Sequence, residues 1–321
     1  MRCPALNELP PAPVGKTGWP WTEESSPLQG KMEDGRHWPR LTVVTPSCNH
    51  GRFIEEAIRS VLLQGYPDLE YIIMDGGSTD DSVEIIHKYE PWLAYWSSQP
   101  DKGQSDAINK GFAQSGGEIL GWLNSDDVYE PEAGRKIVQS LLKHPDYRIV
   151  HGEAWYIDEF GRRLRKCECI RADFTFRYLL NCDPIVQPTS FWYRTLWEKV
   201  GPLRVDLNWG FDWEWYIRAA RHTKIFFIQE HIANYRLHSQ SKTQSRARQE
   251  ERHAELARIS RHHGGWFQPT VIMYVAFKPS FHLERLFHRY KLPGFMRDFL
   301  MRAVQILPKL VGRVLKDSYQ V

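Results

Sequence analysis

The pattern of apolar and polar positions changes character near residue 40. Residues 1–40 carry Pro, Gly and charge, with Trp19, Trp21 and Trp38 set among them. That pattern predicts an extended arm that packs on a main body through its indoles. Leu41-Thr-Val-Val-Thr45 is a short β-rich run stopped by Pro46. From Phe53 to Leu63 the apolar residues Phe53, Ile54, Ala57, Ile58, Val61 and Leu62 recur at helical spacing. The same reading predicts a buried strand over 69–74, a helix over 80–89, a short strand over 94–97, a helix over 103–114 and a strand over 118–123. Strands alternating with helices of this length imply an α/β fold, a mostly parallel sheet flanked by helices. Beyond about Arg148 the pattern is less regular. Strands are expected over 149–157 and 224–228, an aromatic-rich helix over 211–221 and a charged helix over 243–263. The expected organisation is an arm over 1–40, one domain over 41–243 and a basic helical extension over 244–321.

Composition alters this picture in few places. A chain of 321 residues, 42% hydrophobic and 25% charged, is ordinary for a soluble globular protein with a sizeable core. The net charge of +3 is too small to imply nucleic acid. The 13 Trp fit either core packing or a site that stacks on sugar rings or bases. Between Phe281 and Val321 there are eight bases against three acids, so the tail is +5 and the rest of the chain −2. Apolar residues alternate with those bases, and Pro293 and Pro308 break the stretch into shorter helices. Such helices either lie on an anionic membrane surface or pack against the core or a partner subunit. The five cysteines are irregularly spaced, as expected of free thiols in a reducing cytosol. No signal-like leader and no apolar run of about 18 residues is seen, so a cytoplasmic protein is expected, with possible peripheral contact at the membrane face.

Ligands of open α/β sheets bind beyond the carboxyl ends of the strands. Three polar turns fall there: Thr45-Pro-Ser-Cys-Asn49, Asp75-Gly-Gly-Ser78 and Asn124-Ser-Asp-Asp127. Adjacent carboxylates at Asp126 and Asp127 either share a Mg²⁺ or Mn²⁺ ion with substrate phosphates or cap the helix that starts near Pro131. Phe211-Asp-Trp-Glu-Trp215 sets two carboxylates among aromatics at a helix start, a setting for a general base or again a cap. His238, in Tyr235-Arg-Leu-His238, is either structural or a ligand.

Taken in order, these segments resemble the motifs of family-2 inverting glycosyltransferases with the GT-A fold. They are Thr45-Pro-Ser-Cys-Asn-His50, Ile73-Met-Asp-Gly-Gly-Ser-Thr-Asp80, Asp101-Lys-Gly-Gln-Ser-Asp-Ala-Ile-Asn-Lys-Gly111, Leu123-Asn-Ser-Asp-Asp127, Gly210-Phe-Asp-Trp-Glu-Trp215 and Tyr235-Arg-Leu-His238. The resemblance spans about 41–243. It implies a nucleotide-sugar-binding half over 41–128 and an acceptor half over 129–243. Pro46, Ser47, Asn49, Asp75, Gly77, Asp106, Asn109 and Ser125 would line the nucleotide pocket. Asp126, Asp127 and His238 would hold Mn²⁺ or Mg²⁺, Asp212 would be the catalytic base, and Trp213, Glu214 and Gln187 would lie on the acceptor side. The implied reaction moves a sugar from a nucleotide sugar, UDP first among them, to a hydroxyl of a glycan or lipid-linked acceptor, as in cell-surface polysaccharide synthesis. This sequence departs from the pattern at Asn124, where an Asp is frequent, and at Gly76, Ile108 and Phe211. Two other readings remain: an inactive glycosyltransferase-like scaffold, and a sugar nucleotidyltransferase, which would need a Gly-rich basic loop that the first strand lacks. A dinucleotide-binding oxidoreductase fails because no G-x-G-x-x-G follows that strand.

Overall fold

The computed structural model describes residues 3–167, 172–180, 182–239, 241 and 248–264. The chain divides into two units, Met1–Phe176 with Pro184–Ser241, and Arg177–Asp183 with Lys242–Val321.

The first unit is built on one mixed sheet. Its strands are β1 (Leu41–Ser47), β2 (Leu69–Asp75), β3 (Tyr95–Ser98), β4 (Ile119–Trp122), β5 (Val128–Tyr129), β6 (Ile149–Ile157), β7 (Arg163–Lys166), β8 (Phe191–Tyr193) and β9 (Ile225–Arg236). They lie in the order β3-β2-β1-β4-β8-β6-β9-β5, with β7 paired to β6. β3, β2, β1 and β4 are mutually parallel. β8 then runs antiparallel between β4 and β6, while β6 and β9 pair in parallel. Every residue of β1 is buried, as a central strand covered on both faces requires.

The helices are α1 (Ile54–Leu62), α2 (Ser82–Tyr89), α3 (Gln104–Ala113), α4 (Ala133–Lys143), the single turn α5 (Phe176–Leu179), α6 (Arg194–Val200), α7 (Phe211–Ala219) and α8 (Gln249–Gly264). α1 buries Ile54, Ala57, Ile58, Val61 and Leu62, the apolar stripe legible in its sequence. α3 closes tightly on the sheet at Gly111, where a Cβ would meet Val44 Cγ1 at 2.5 Å. The chain leaves β1 towards β2 and β3, then crosses through α3 to β4 on the other side of β1. The carboxyl ends of β1 and β4 therefore form a switch point at which the following turns diverge and leave a crevice.

The elements up to β4 follow the expected order. The expected strand at 224–228 runs on to Arg236, so Tyr235 and Arg236 belong to β9. Its polar middle, Gln229–His231, lies where the pairing with β6 shifts register around Glu153, and this interrupts the apolar signal. β5, β7 and β8 have two to four residues each, too few to show a period.

The arm lies on the body of this unit. Trp19 Nε1 donates to the Tyr129 carbonyl at 2.7 Å. Arg59 of α1 is 1% exposed, and its guanidinium donates to the carbonyls of Pro10, Pro20 and Trp21. Most of the Trp surplus is core. Trp122, Trp192 and Trp215 are fully buried, with ring centroids 5.4 Å apart for Trp122–Trp192 and 4.6 Å for Trp192–Trp215. In the second unit, Ser260 Oγ of α8 donates to the Leu180 carbonyl at 3.1 Å. No described helix is long and apolar enough to cross a membrane. The basic tail over 281–321, with its membrane reading, lies outside the described residues, as does Cys169.

Candidate active site

The turns after β1 and β2 are laced to each other. Asn49, in the left-handed region at φ 55°, donates its N–H to Ser78 Oγ at 2.7 Å, and its Oδ1 accepts from Thr79 N at 2.8 Å. His50 N donates to Ser82 Oγ and Gly51 N to Asp80 Oδ2. Asp75, buried at the end of β2, accepts from Gly77 N, Ser78 N, Ser78 Oγ and Ser98 Oγ. Gly77 sits at φ +83°, which favours glycine in this turn. Pro46 and Ser47 are buried opposite Met74 and Asp75 in register. The Ser47 hydroxyl has no hydrogen-bond partner among the described residues. Asp75, Gln99, Asp101 and Lys110 help to line a cleft of about 140 Å³.

Two of the expected nucleotide residues on α3 are committed elsewhere. Asn109 exchanges two hydrogen bonds with the backbone of Leu203, both of 2.9 Å. Asp106 accepts from Lys102 N and pairs with Lys110 at 2.9 Å. The Lys110 hydrogen bond, then that from Lys102, hold its carboxyl below the usual range.

The turn after β4 and the chain just past β9 are arranged differently. His238, two residues past β9, places Nε2 3.0 Å from Asp126 Oδ2. His50 Nδ1 lies 2.7 Å from Ser125 Oγ, and the His50 and His238 rings meet edge to face at 6.0 Å. His50 closes the Thr45–His50 motif, to which the resemblance attaches no role for this residue. The structure brings it to Ser125 because the turns after β1 and β4 face each other across the switch point. His50, Arg52, Phe53, Asp80 and His238 border a cavity of about 400 Å³.

The adjacent acids differ sharply. Burial works against the Asp126 charge, but the His238 hydrogen bond and the nearby His50 and His238 rings outweigh it and hold the carboxyl below its ordinary value. Asp127 is 2% exposed, and Oδ1 accepts from Arg236 N at 2.9 Å. Burial, then the Asp126 charge, hold its carboxyl well above the ordinary range. Burial and the Asp126 charge thus favour the neutral form of the backbone-tied Asp127, whereas the imidazoles favour the charged form of Asp126. Among the described residues no group of three or more His, Cys, Asp and Glu could hold a metal unaided. Asp126 and His238 supply two donors, which suits a hard cation that completes its shell with substrate phosphates and water.

Beyond β4, the first turn of α7 carries Asp212 and Glu214. Glu214 is 1% exposed, and both its oxygens accept from Arg218 Nε at 3.0 Å. Arg218 also donates to the carbonyls of Val200 and Pro202, so this pair braces the loop after α6. Asp212 is half-buried, with Oδ1 accepting from Trp213 N. Trp213 is 1% exposed, part of the core under the helix. The Phe211 ring packs 6.5 Å from that of Trp122, the last residue of β4, which seats the start of α7 against that strand. Gln187 also meets this strand: its Nε2 donates to the Trp122 carbonyl at 3.0 Å.

Comparison with known proteins decides the family. The Glycosyl transferase family 2 sequence model matches residues 42–199. An uncharacterized glycosyltransferase of Mycobacterium tuberculosis is 32% identical over 187 residues, covering 57% of this chain and 69% of the relative. The chain belongs to glycosyltransferase family 2. Its fold is that of the GT-A glycosyltransferases. S. aureus TarS 1-349 in complex with UDP-GlcNAc superposes with a TM-score of 0.58 at 15% identity, over 88% of this chain and 91% of that one. A longer TarS chain is matched over 42% of its length. The mannosyltransferase PcManGT from Pyrobaculum calidifontis, in complex with GDP-Man and Mn²⁺, gives 0.54 at 17% identity, over 85% and 87%. At such identities the likeness is one of fold. The family match takes in the first three polar turns of this glycosyltransferase and stops before Asp212 and His238.

Proposed function

We propose that this family-2 member is an inverting glycosyltransferase. It takes a nucleotide sugar, with UDP the first base to test, and glycosylates a hydroxyl of a glycan or lipid-linked acceptor in the cytoplasm, in the building of a cell-surface polysaccharide. One observation carries the reading: Asp126 paired with His238 beyond β4, at the β1/β4 switch point. The nucleotide-sugar and nucleotide complexes of the two structural neighbours support the donor class.

In this reading Asp75 and the turns after β1 and β2 seat the base and ribose, and the buried Ser47 hydroxyl gains a partner there. Asp126 and His238 would hold Mn²⁺ or Mg²⁺, which when bound would supply positive charge to offset that of the departing diphosphate. Asp212 accepts the proton of the acceptor hydroxyl as its oxygen attacks the anomeric carbon. The bond from that carbon to the diphosphate breaks, and its electron pair leaves on the phosphate oxygen. One displacement inverts the anomeric centre. Between the two carboxylates of α7, Asp212 is the base because Glu214 is held on Arg218.

The test is release of nucleoside diphosphate from a panel of nucleotide sugars with Mn²⁺, followed by the stereochemistry of the product. Inversion, with turnover abolished in Asp212→Asn while the nucleotide still binds, is the expected result. Retention, or normal turnover in Asp212→Asn, overturns it.

A further inference from the structure

Asn124 stands in the turn after β4 where an acid is frequent in the family pattern, two residues before Asp126. Its amide faces away from a ligand role. Gln187 Nε2 donates to the Trp122 carbonyl at 3.0 Å, and a carbonyl can only accept, so the Gln187 amide has one allowed orientation. That leaves Gln187 Oε1 facing Asn124, which must present its NH₂; Nδ2 lies 3.3 Å from Gln187 Oε1 and 3.4 Å from Asp127 Oδ2. Asn124 Oδ1 then faces Gln104, whose Nε2 donates to it at 2.7 Å. The polarity of three amides is therefore set from one end, and an ionised carboxylate at 124 would put acceptor against acceptor.

The relay touches each part of the rim. Gln104 is the first residue of α3, and Trp122 ends β4. The Gln187 carbonyl accepts from Ser190 Oγ, which lies 2.5 Å from the Tyr216 hydroxyl on α7, the helix of Asp212. We propose that Asn124 is a positioning residue: the middle of a polarity-fixed amide relay, Gln104–Asn124–Gln187–Trp122, that sets the donor-side helix and the Asp212 helix in register with Asp126, and is not a metal donor.

The proposal rests on the metal and base roles given under Proposed function, and its test keeps the two apart. Mn²⁺ binding in the presence of UDP is read from loss of the free-ion EPR signal for wild type, Asn124→Asp and Asp126→Ala. Turnover and thermal midpoint are read for Asn124→Asp, Gln187→Glu and the double variant. The relay predicts that Asn124→Asp leaves the half-saturating Mn²⁺ concentration within about threefold, while turnover falls about tenfold or more at unchanged donor KM. It predicts also that the loss in the double variant differs from the sum of the two single losses, since both substitutions act on the same chain. A tenfold or greater tightening of Mn²⁺ in Asn124→Asp makes Asn124 a ligand position and overturns the proposal, as do additive losses in the double variant. If wild type and Asp126→Ala alike bind no Mn²⁺, the metal assignment fails, and the thermal cycle decides the relay alone: non-additive midpoints support it, additive ones overturn it.

Discussion

The rim after β1, β2 and α3 and the rim after β4 and β9 hold motif residues of the same kinds and use them in opposite ways. In the first, Asn49, Asp75, Ser78, Asp80 and Asn109 direct their polar atoms mainly at one another and at backbone. They build the shape of the turns to which the proposed function assigns the nucleotide. In the second, the side chains of Asp126 and His238, 112 residues apart in sequence, meet at 3.0 Å, and Asp212 stays half-buried. The difference teaches that a motif residue can be there for the loop or for the ligand. Substitutions in the first rim should therefore appear chiefly in stability, and those in the second chiefly in turnover.

The largest effect is expected at Asp212. Asp212→Asn should lower turnover by about 10²–10⁴-fold, the usual worth of a general base, with the melting midpoint nearly unchanged. Its neighbour gives the contrast. Glu214→Gln breaks a buried ion pair that braces the loop after α6, and should cost about 3 kcal/mol of folding stability by denaturant titration. If Glu214→Gln instead abolishes turnover in a fully folded protein, the base belongs to Glu214.

A pH series separates the site from the core. His151 is fully buried on β6 and stacked on Phe174, and burial pushes its pKa down from 6.5 to about 4. Between about pH 6.5 and 4 the unfolded chain takes up a proton that the folded chain refuses. Stability is therefore complete above about 6.5 and falls as pH drops towards 4, by on the order of 2–3 kcal/mol at most. His151→Phe should flatten that slope in an unfolding titration; an unchanged slope would place the acid sensitivity elsewhere. The smallest effect is at Asn109. Asn109→Ala loses two hydrogen bonds to Leu203 and should cost about 1–2 kcal/mol while nucleotide affinity stays within about threefold. A selective loss of nucleotide affinity would return Asn109 to the pocket.

The parallel half of the sheet is legible because β1, β2 and β3 are each followed by a helix, with a clear apolar stripe in α1, and because strand ends announce the crevice. The second half was not, since β5 and β8 are too short to show a period and β9 passes through a polar register shift. Asp126 could be read from its motif, yet nothing in the sequence separates it from Asp127. That distinction arises from the β9 backbone, where Arg236 N binds Asp127, and from His238 beyond it. His50 was missed because its contact with Ser125 depends on which turns the switch point sets face to face. Nothing in the sequence ties Glu214 to Arg218 or Asn109 to the Leu203 backbone; the fold makes those pairings.

Thermal midpoints with UDP, GDP and dTDP, each with and without Mn²⁺, should be compared in wild type, Asp126→Ala and Asp127→Asn. A ligand that binds only the folded chain raises the midpoint by mass action. A Mn²⁺-dependent rise with one nucleotide in wild type, lost in Asp126→Ala and kept in Asp127→Asn, is the predicted result. A rise that survives in Asp126→Ala, or that only Asp127→Asn removes, would contradict the assignment of Asp126 as the metal-side acid.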